Sequence, residues 1–337
     1  MNIKDIAKMA GVGVGTVSRV LNNHPNVKES TRKKVMDVIN EINYIPNKSA
    51  VNLKKNSVNS NSIGVLIRGV FTPFFYEMVT IINKILSTDG YNIVLRQNDF
   101  VEAGDNEVRR VISLCKSVNL KGLIYLGCDI DIISDETFKD VEVPLVLVSP
   151  NKSYVDDNIT NFSSVCINQV DSSKIATKYL VEKGAKNIGI ILGANDNSMI
   201  SSQRFLGYKK TLLENNLKFK EENVAYGSYT AEGAYEATIE LLKRGQNIDG
   251  IFCTSDIMAT GCAKAIIDSG FEVGKDIFLS GFDGMDIAKF YNPTITTVIQ
   301  PIEEMAEIGA NMIIDLIKNK SSHRHIELKT ELSKGKS

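Results

Sequence analysis

The sequence predicts a small all-α head containing a helix-turn-helix, followed by an α/β core of two parallel-sheet subdomains. Three observations predict it. Residues 1–46 repeat apolar side chains at helical spacing around the glycine-punctuated stretch "KMAGVGVGTVSRVL". Residues 47–61, "NKSAVNLKKNSVNSN", are polar and without pattern, and read as a linker. From residue 62 onward, short β-branched runs alternate with amphipathic segments of 10–15 residues, the pattern of parallel strands joined by covering helices.

In the head, a first helix is expected over about residues 3–10, with Asn2 as N-cap and Ile3, Ile6, Ala7 and Ala10 on one face. Gly11 supplies the left-handed position that ends it, and Val12 plugs the turn into the core. The second helix, about 14–22, turns Val17, Val20 and Leu21 inward. It leaves Val14, Gly15, Thr16, Ser18, Arg19 and Asn22 for solvent or a DNA groove. A third helix, about 29–42, buries Val35, Val38, Ile39 and Ile42 and offers Arg32, Lys33 and Lys34 to phosphates. The glycines do not form a dinucleotide fingerprint. Counted from Gly11, the third glycine position holds Thr16; counted from Gly13, it holds Ser18; no strand precedes either.

In the core, strands are expected at "IGVLIR" (63–68), "YNIVLRQ" (91–97), "GLIYLG" (122–127), "VPLVLVS" (143–149), "NIGIILG" (187–193), "GIFCTS" (250–255) and "IFLSGF" (277–282). A polar stretch at 150–164 separates the fourth run from "VCINQVDSSKIATKYL", which is expected to open a second set. The first subdomain therefore takes residues 62–160, with the last strand-helix unit, about 297–325, crossing back to it. The second subdomain takes 161–296. A ligand belongs in the cleft between them, at the carboxyl ends of the strands.

Charge separates the two parts. Residues 1–60 carry ten Lys/Arg against four Asp/Glu, and the remainder 29 against 36. A basic head on an acidic body suits an anchor for a polyanion. The five cysteines form no C-x-x-C pair and read as reduced core thiols. His24 stands alone, and His323 and His325 fall in a polar tail, where solvated surface is expected and no metal site. No apolar run is long enough for a membrane span, and the charged "MNIKDIAKMAG" does not read as an export signal, so a cytoplasmic protein is expected. No catalytic constellation is present: the sequence lacks G-x-S-x-G, H-E-x-x-H and Walker motifs.

"IKDIAKMAGVGVGTVSRVLNN", followed by "VKESTRKKVMDVINEINYIPN", resembles the DNA-binding head of the lactose-repressor (LacI/GalR) family of bacterial transcription regulators. The resemblance continues through "PFFYEM", "YLVEKGAKNIGIILG", "RFLGY", "SDIMATG" and "GFDGMDIAKFYNPTITTVIQP", which match the family's periplasmic-binding-protein-like core. It implies that Val14, Gly15 and Thr16 face base edges. Ser18, Arg19, Asn22 and Thr31 then contact bases or phosphates, with Arg19 the best donor to guanine. It further implies that "YIPNKSAVNLKK" is a hinge that becomes helical on operator DNA. There Asn47 would cap it, Lys48 approach phosphate, Ala50 allow close approach and Leu53 wedge into the minor groove. In the core cleft the resemblance implies that Arg204 and Asp283 grip a small effector, with Phe74, Phe75 and Tyr229 against it and Ser255 and Asp256 nearby.

The expected protein is thus a homodimeric regulator, a repressor of transcription. It binds double-stranded operator DNA under control of a sugar or nucleoside, with no cofactor, metal or membrane partner. "TELSKGKS" carries no leucine heptads, so tetramers through such a segment are not expected. A solute-binding protein of a transport system shares the core but lacks a basic helical head. A nucleotide-dependent enzyme is favoured only by the alternating strands and the glycines.

Overall fold

The computed structural model describes residues 3–21, 27–41, 61–98, 108, 111–115, 119–128, 137–150, 159–193, 199–245 and 247–337. The chain divides into two compact units, Met1–Asn59 and Ser60–Ser337. Among the described residues no helix is long and apolar enough to cross a membrane.

The first unit holds α1 (Ile3–Ala10), α2 (Val14–Leu21) and α3 (Glu29–Glu41). Ile6, Ala7, Val17, Val20, Val35 and Ile39 are buried together, with Val12 and Val38 packed against them. Gly11 takes φ +62°, as the helix end requires. The Val12 N–H then reaches back to the Ala7 carbonyl at 3.0 Å, closing the turn while its side chain plugs the core. The expected contributions of Ile3, Leu21 and Ile42 lie outside the described side chains.

The second unit is built on two six-stranded sheets. The first runs β2 (Asn92–Asn98), β1 (Ser62–Arg68), β3 (Gly122–Leu126), β4 (Leu145–Val148), β5 (Ser163–Ile167) and β11 (His325–Leu328), all parallel. The second runs β7 (Val224–Tyr226), β6 (Ile188–Leu192), β8 (Gly250–Cys253), β9 (Phe278–Asp283), β10 (Thr296–Ile299) and β12 (Glu331–Ser333), with only β12 antiparallel. Its helices include α4 (Pro73–Thr88), α5 (Gln169–Glu182), α6 (Met199–Glu214), α7 (Ala231–Lys243), α8 (Asp256–Asp268), α9 (Asp286–Lys289) and α10 (Ile302–Ile317). β3, β4, β6 and β8 are buried along their whole length, which is why they read as unbroken apolar runs.

The expected subdomain limits differ from the strand pairing. β5 pairs in parallel with β4, so the chain leaves the first sheet after Ile167 rather than near residue 160. β10 stays in the second sheet beside β9, and only α10 crosses back, packing Ile313 over Gly122 and Gly309 over Val148. β11 returns to the first sheet and β12 to the second, so the chain passes between the lobes at 168, at 300–301 and at 329–330. The third crossing is tied to the first, where the Ser172 hydroxyl sits 2.8 Å from that of Thr330.

The histidines correct the expectation of a solvated tail. His325 lies in β11, its Nδ1 2.9 Å from Ser164 Oγ and its Nε2 3.0 Å from the Ile159 carbonyl, and His323 Nδ1 is 3.1 Å from Ser163 Oγ. Two serines in a buried strand and two histidines in a polar segment each look out of place until the fold pairs them. The five cysteines are free thiols, four of them buried.

Candidate functional site: a helix-turn-helix surface and an interlobe cavity

On the head, α2 presents Val14 at 42% exposure, with Gly15 and Arg19 also exposed and Thr16 half-buried. The Gly13 carbonyl accepts from the Thr16 and Val17 N–H groups at 2.8 and 3.2 Å, which places Gly13 at the N-cap. A Cβ at Gly15 would meet nothing within 4 Å. Thr31 is half-buried in the first turn of α3, Lys33 and Lys34 are exposed, and Arg32 Nε lies 3.8 Å from Glu29. The Ser18 side chain and residues Asn22, Asn47, Lys48, Ala50 and Leu53, with the whole expected hinge up to Ser60, lie outside the described residues.

In the core, a cavity partly open to solvent lies between the lobes at the carboxyl ends of the parallel strands. The first lobe lines it with Arg68 at the end of β1, Phe74 and Phe75 from α4, and Ser149 after β4. The second lobe lines it with Arg204 from α6, Tyr229, Ser255, Asp283 at the end of β9, and Met285 and Ile287 beyond it. Six of the seven core residues expected at the site therefore meet there.

Each is held by its surroundings. Arg204 is 6% exposed, its Nε donates to Gln169 Oε1 at 2.9 Å, and one of its terminal nitrogens donates to the Thr254 carbonyl at 2.5 Å. The guanidinium lies 3.9 Å from the centroid of the Phe282 ring and 3.8 Å from Asp283 Oδ1. Asp283 accepts from Gln300 Nε2 at 2.8 Å. Burial pushes its carboxyl up to about 6 against the opposing pull of Arg204, so a modest change of environment moves it between acid and carboxylate. Three lining residues adopt φ values that side chains rarely take: Asp283 at +116°, Tyr229 at +55° and Ser149 at +54°. Backbone strain concentrated around one cavity is what a ligand clamp stores.

The aromatic lining is equally specific. Phe74 and Phe75 meet edge to face at 5.3 Å. The Phe75 ring covers Gly127 so closely that an added Cβ would stand 2.8 Å from its Cζ. The Tyr229 hydroxyl is 2.9 Å from Ser201 Oγ. Ser255 caps α8, accepting from the Met258 N–H at 3.4 Å.

Asp256 departs from expectation. Its side chain is fully buried below the lining, accepting from the Met285 N–H at 2.7 Å and the Thr297 hydroxyl at 2.6 Å. Burial, and then the nearby Asp283, push its carboxyl well above the ordinary range. It positions the Gly284–Met285 turn and is not among the residues lining the cavity. Arg68, Ser149, Gln169 and Gln300 escaped the sequence reading. The signal for Arg68 was a lone charge closing the apolar run "IGVLIR", and that for Gln300 was a polar residue closing "TTVIQ".

A helix-turn-helix unit joined to a two-lobed α/β core with a strained, charged and aromatic interlobe cavity defines a class: ligand-binding cores that carry a DNA-binding head. Residues 2–47 match the family model described as bacterial regulatory proteins, lacI family, and residues 177–337 match a periplasmic binding protein-like domain. The HTH-type transcriptional regulator MalR of Clostridium butyricum is 46% identical over 332 residues, covering 98% of this chain and 97% of that one. The repressor PurR of Pectobacterium carotovorum is 31% identical, covering 96% and 92%. Among solved structures, the transcriptional regulator CelR–cellobiose complex superposes with a TM-score of 0.70 at 26% identity, over 100% of this chain and 99% of that one. The lac repressor dimer bound to operator and an anti-inducer gives 0.68 at 26% identity, over 100% and 98%. The chain belongs to the lacI family of bacterial transcription regulators. It is a sequence-specific DNA-binding regulator with an effector-binding core, and the transport alternative is set aside.

Proposed function

We propose that this regulator is a cytoplasmic repressor that binds operator DNA as a homodimer and answers to a sugar held in the interlobe cavity, acting by binding rather than turnover. The observation that carries the reading is the buried Arg204–Asp283 pair, 3.8 Å apart, set between Phe75, Phe74 and Tyr229 in a cavity walled by both lobes. A guanidinium and a carboxylate side by side match the donor and acceptor faces of vicinal hydroxyls, and flat rings match the apolar face of a pyranose. The CelR structure with cellobiose supports a sugar over a nucleoside.

On the head, Val14, Gly15 and Thr16 face base edges, while Ser18, Arg19, Asn22 and Thr31 contact bases or phosphates. Asn47, Lys48, Ala50 and Leu53 supply the minor-groove hinge. A sugar touching both lobes favours one lobe arrangement, and the three crossings transmit that preference. Because coupling is reciprocal, a sugar that weakens operator binding must itself bind less tightly to the operator complex.

The test is a thermal-shift screen of mono- and disaccharides with the full-length protein. It is followed by gel-shift titration against the DNA site recovered by binding-site selection. A cavity ligand at a hundred times its dissociation constant adds about 2.7 kcal/mol of stability. A screen in which no sugar shifts the melting temperature or the DNA affinity overturns the sugar reading.

A further inference from the structure

Two glutamines stand where the chain crosses between the lobes. Gln169 opens α5 just after the first crossing, and Gln300 follows β10 at the second. Both are sealed from solvent, at 0% and 2% exposure. Gln169 Oε1 accepts from Arg204 Nε at 2.9 Å, and Gln300 Nε2 donates to Asp283 Oδ1 at 2.8 Å. The Gln300 backbone N–H also donates to the Asp283 carbonyl at 3.1 Å, so this crossing grips the residue by side chain and main chain together.

Each amide is only half used. Gln169 Nε2 and Gln300 Oε1 have no hydrogen-bond partner among the described residues. Buried polar atoms are normally satisfied, so two half-satisfied amides at the ends of one chain of contacts need an explanation. That chain runs Gln169, Arg204, Asp283, Gln300, and its two loose ends are one donor and one acceptor. A methionine would fill either place with no polar atom to satisfy; what the amide adds is its bond to the charge beside it.

We infer that Gln169 and Gln300 are positioning residues of the effector site, tying Arg204 and Asp283 to two interlobe crossings so that a ligand engaging those charges biases the lobe arrangement. The inference rests on the reading of the cavity as an effector site. A ligand hydroxyl that takes Asp283 Oδ1 competes with Gln300 Nε2. The released amide is then buried with neither polar atom bonded, a cost that a shift of the crossing relieves. The other ionisable groups facing this chain are Asp256 from α8 and Tyr229 from the turn before α7.

The experiment uses full-length protein carrying Gln169→Met, Gln300→Met or Gln169→Glu, the last keeping an acceptor for Arg204 Nε. Calorimetry with cellobiose and with glucose gives sugar affinity. Gel-shift titration with and without saturating sugar gives the ratio of operator affinities. Both methionine variants are expected to bind sugar within tenfold of wild type, with the operator ratio reduced to under twofold, and Gln169→Glu to retain the wild-type ratio. Wild-type ratios in both methionine variants overturn the inference.

A second arm needs no ligand. Gln300→Met removes a donor that favours the Asp283 carboxylate, so the midpoint in the pH profile of melting temperature should rise above about 6 by half a pH unit or more. A uniform loss of stability with an unmoved midpoint overturns the inference. If no sugar of the screen binds wild type, the sugar reading fails, and this arm still tests the tie of Gln300 to Asp283.

Discussion

Replacing Asp283 by asparagine should make the core more stable while blunting its response to effector. The carboxyl sits at 8% exposure with its pKa lifted from 3.8 to about 6, burial being the larger cause and Arg204 the opposing one. A lift of that size corresponds to about 3 kcal/mol favouring the neutral form inside the fold. Below pH 3.8 both folded and unfolded chains carry the neutral acid, and the contribution is complete. It declines as the pH rises through about 6, above which the folded chain holds an ionised carboxylate. Asparagine keeps an oxygen for Gln300 Nε2 and never ionises, so at pH 7 the variant should gain up to about 3 kcal/mol. Denaturant unfolding and thermal melting between pH 4 and 8 are the assays. Wild type should lose stability from pH 4 to 6 and the variant should not. A variant less stable than wild type at pH 7, or a flat wild-type profile, refutes the reasoning.

Further outcomes follow from other positions. Gly15→Ala meets open space at an exposed helical position, so it should stabilise the head by up to about 1 kcal/mol and change the sequence preferred in a binding-site selection. Gly127→Ala, at φ +72° and against the Phe75 ring, should push that ring into the cavity and weaken sugar binding in calorimetry at least tenfold. Gly261→Ala would drive a Cβ into the Ala231 carbonyl, so α7 and α8 must separate; melting should show a loss of about 1–3 kcal/mol. DNA affinity should fall steeply with salt in gel-shift titration, and Lys33→Ala should reduce that slope by about 1.

Much of the architecture was legible because its signals are local. The αL glycine at residue 11, the inward Val17 and Val20, and the continuous apolar strands of a doubly covered sheet all speak within a few residues. What escaped is non-local. β5 contains Ser163 and Ser164, and β11 contains His325, so each lacks a buried strand's pattern until the other side of the bond is known. β7 and β12 are three residues long, too short for any period to declare itself. At the site, Arg204 and Asp283 were visible as charges in matched motifs, whereas Gln169 and Gln300 act through those charges from remote points of the sequence. Asp256 follows Ser255 in sequence, but the helix turns its carboxylate toward Thr297 and Met285 rather than into the cavity lining.

The threefold exchange of chain between the sheets also sets the order in which they can be finished during synthesis. The first sheet has five strands once residue 167 is made, yet α10, which covers one of its faces, and β11, which closes its edge, arrive only after residues 302 and 325. The second sheet is nearly whole by then. A growing chain must therefore carry the exposed rim of β5 and the bare apolar face under Ile313 through more than a hundred further residues of translation. Open strand edges of that kind are where nascent proteins associate wrongly. Slowing elongation late in the gene, or depriving the cell of a holdase chaperone, should then lower the soluble yield of this regulator more than that of a protein whose lobes are each made from one continuous stretch.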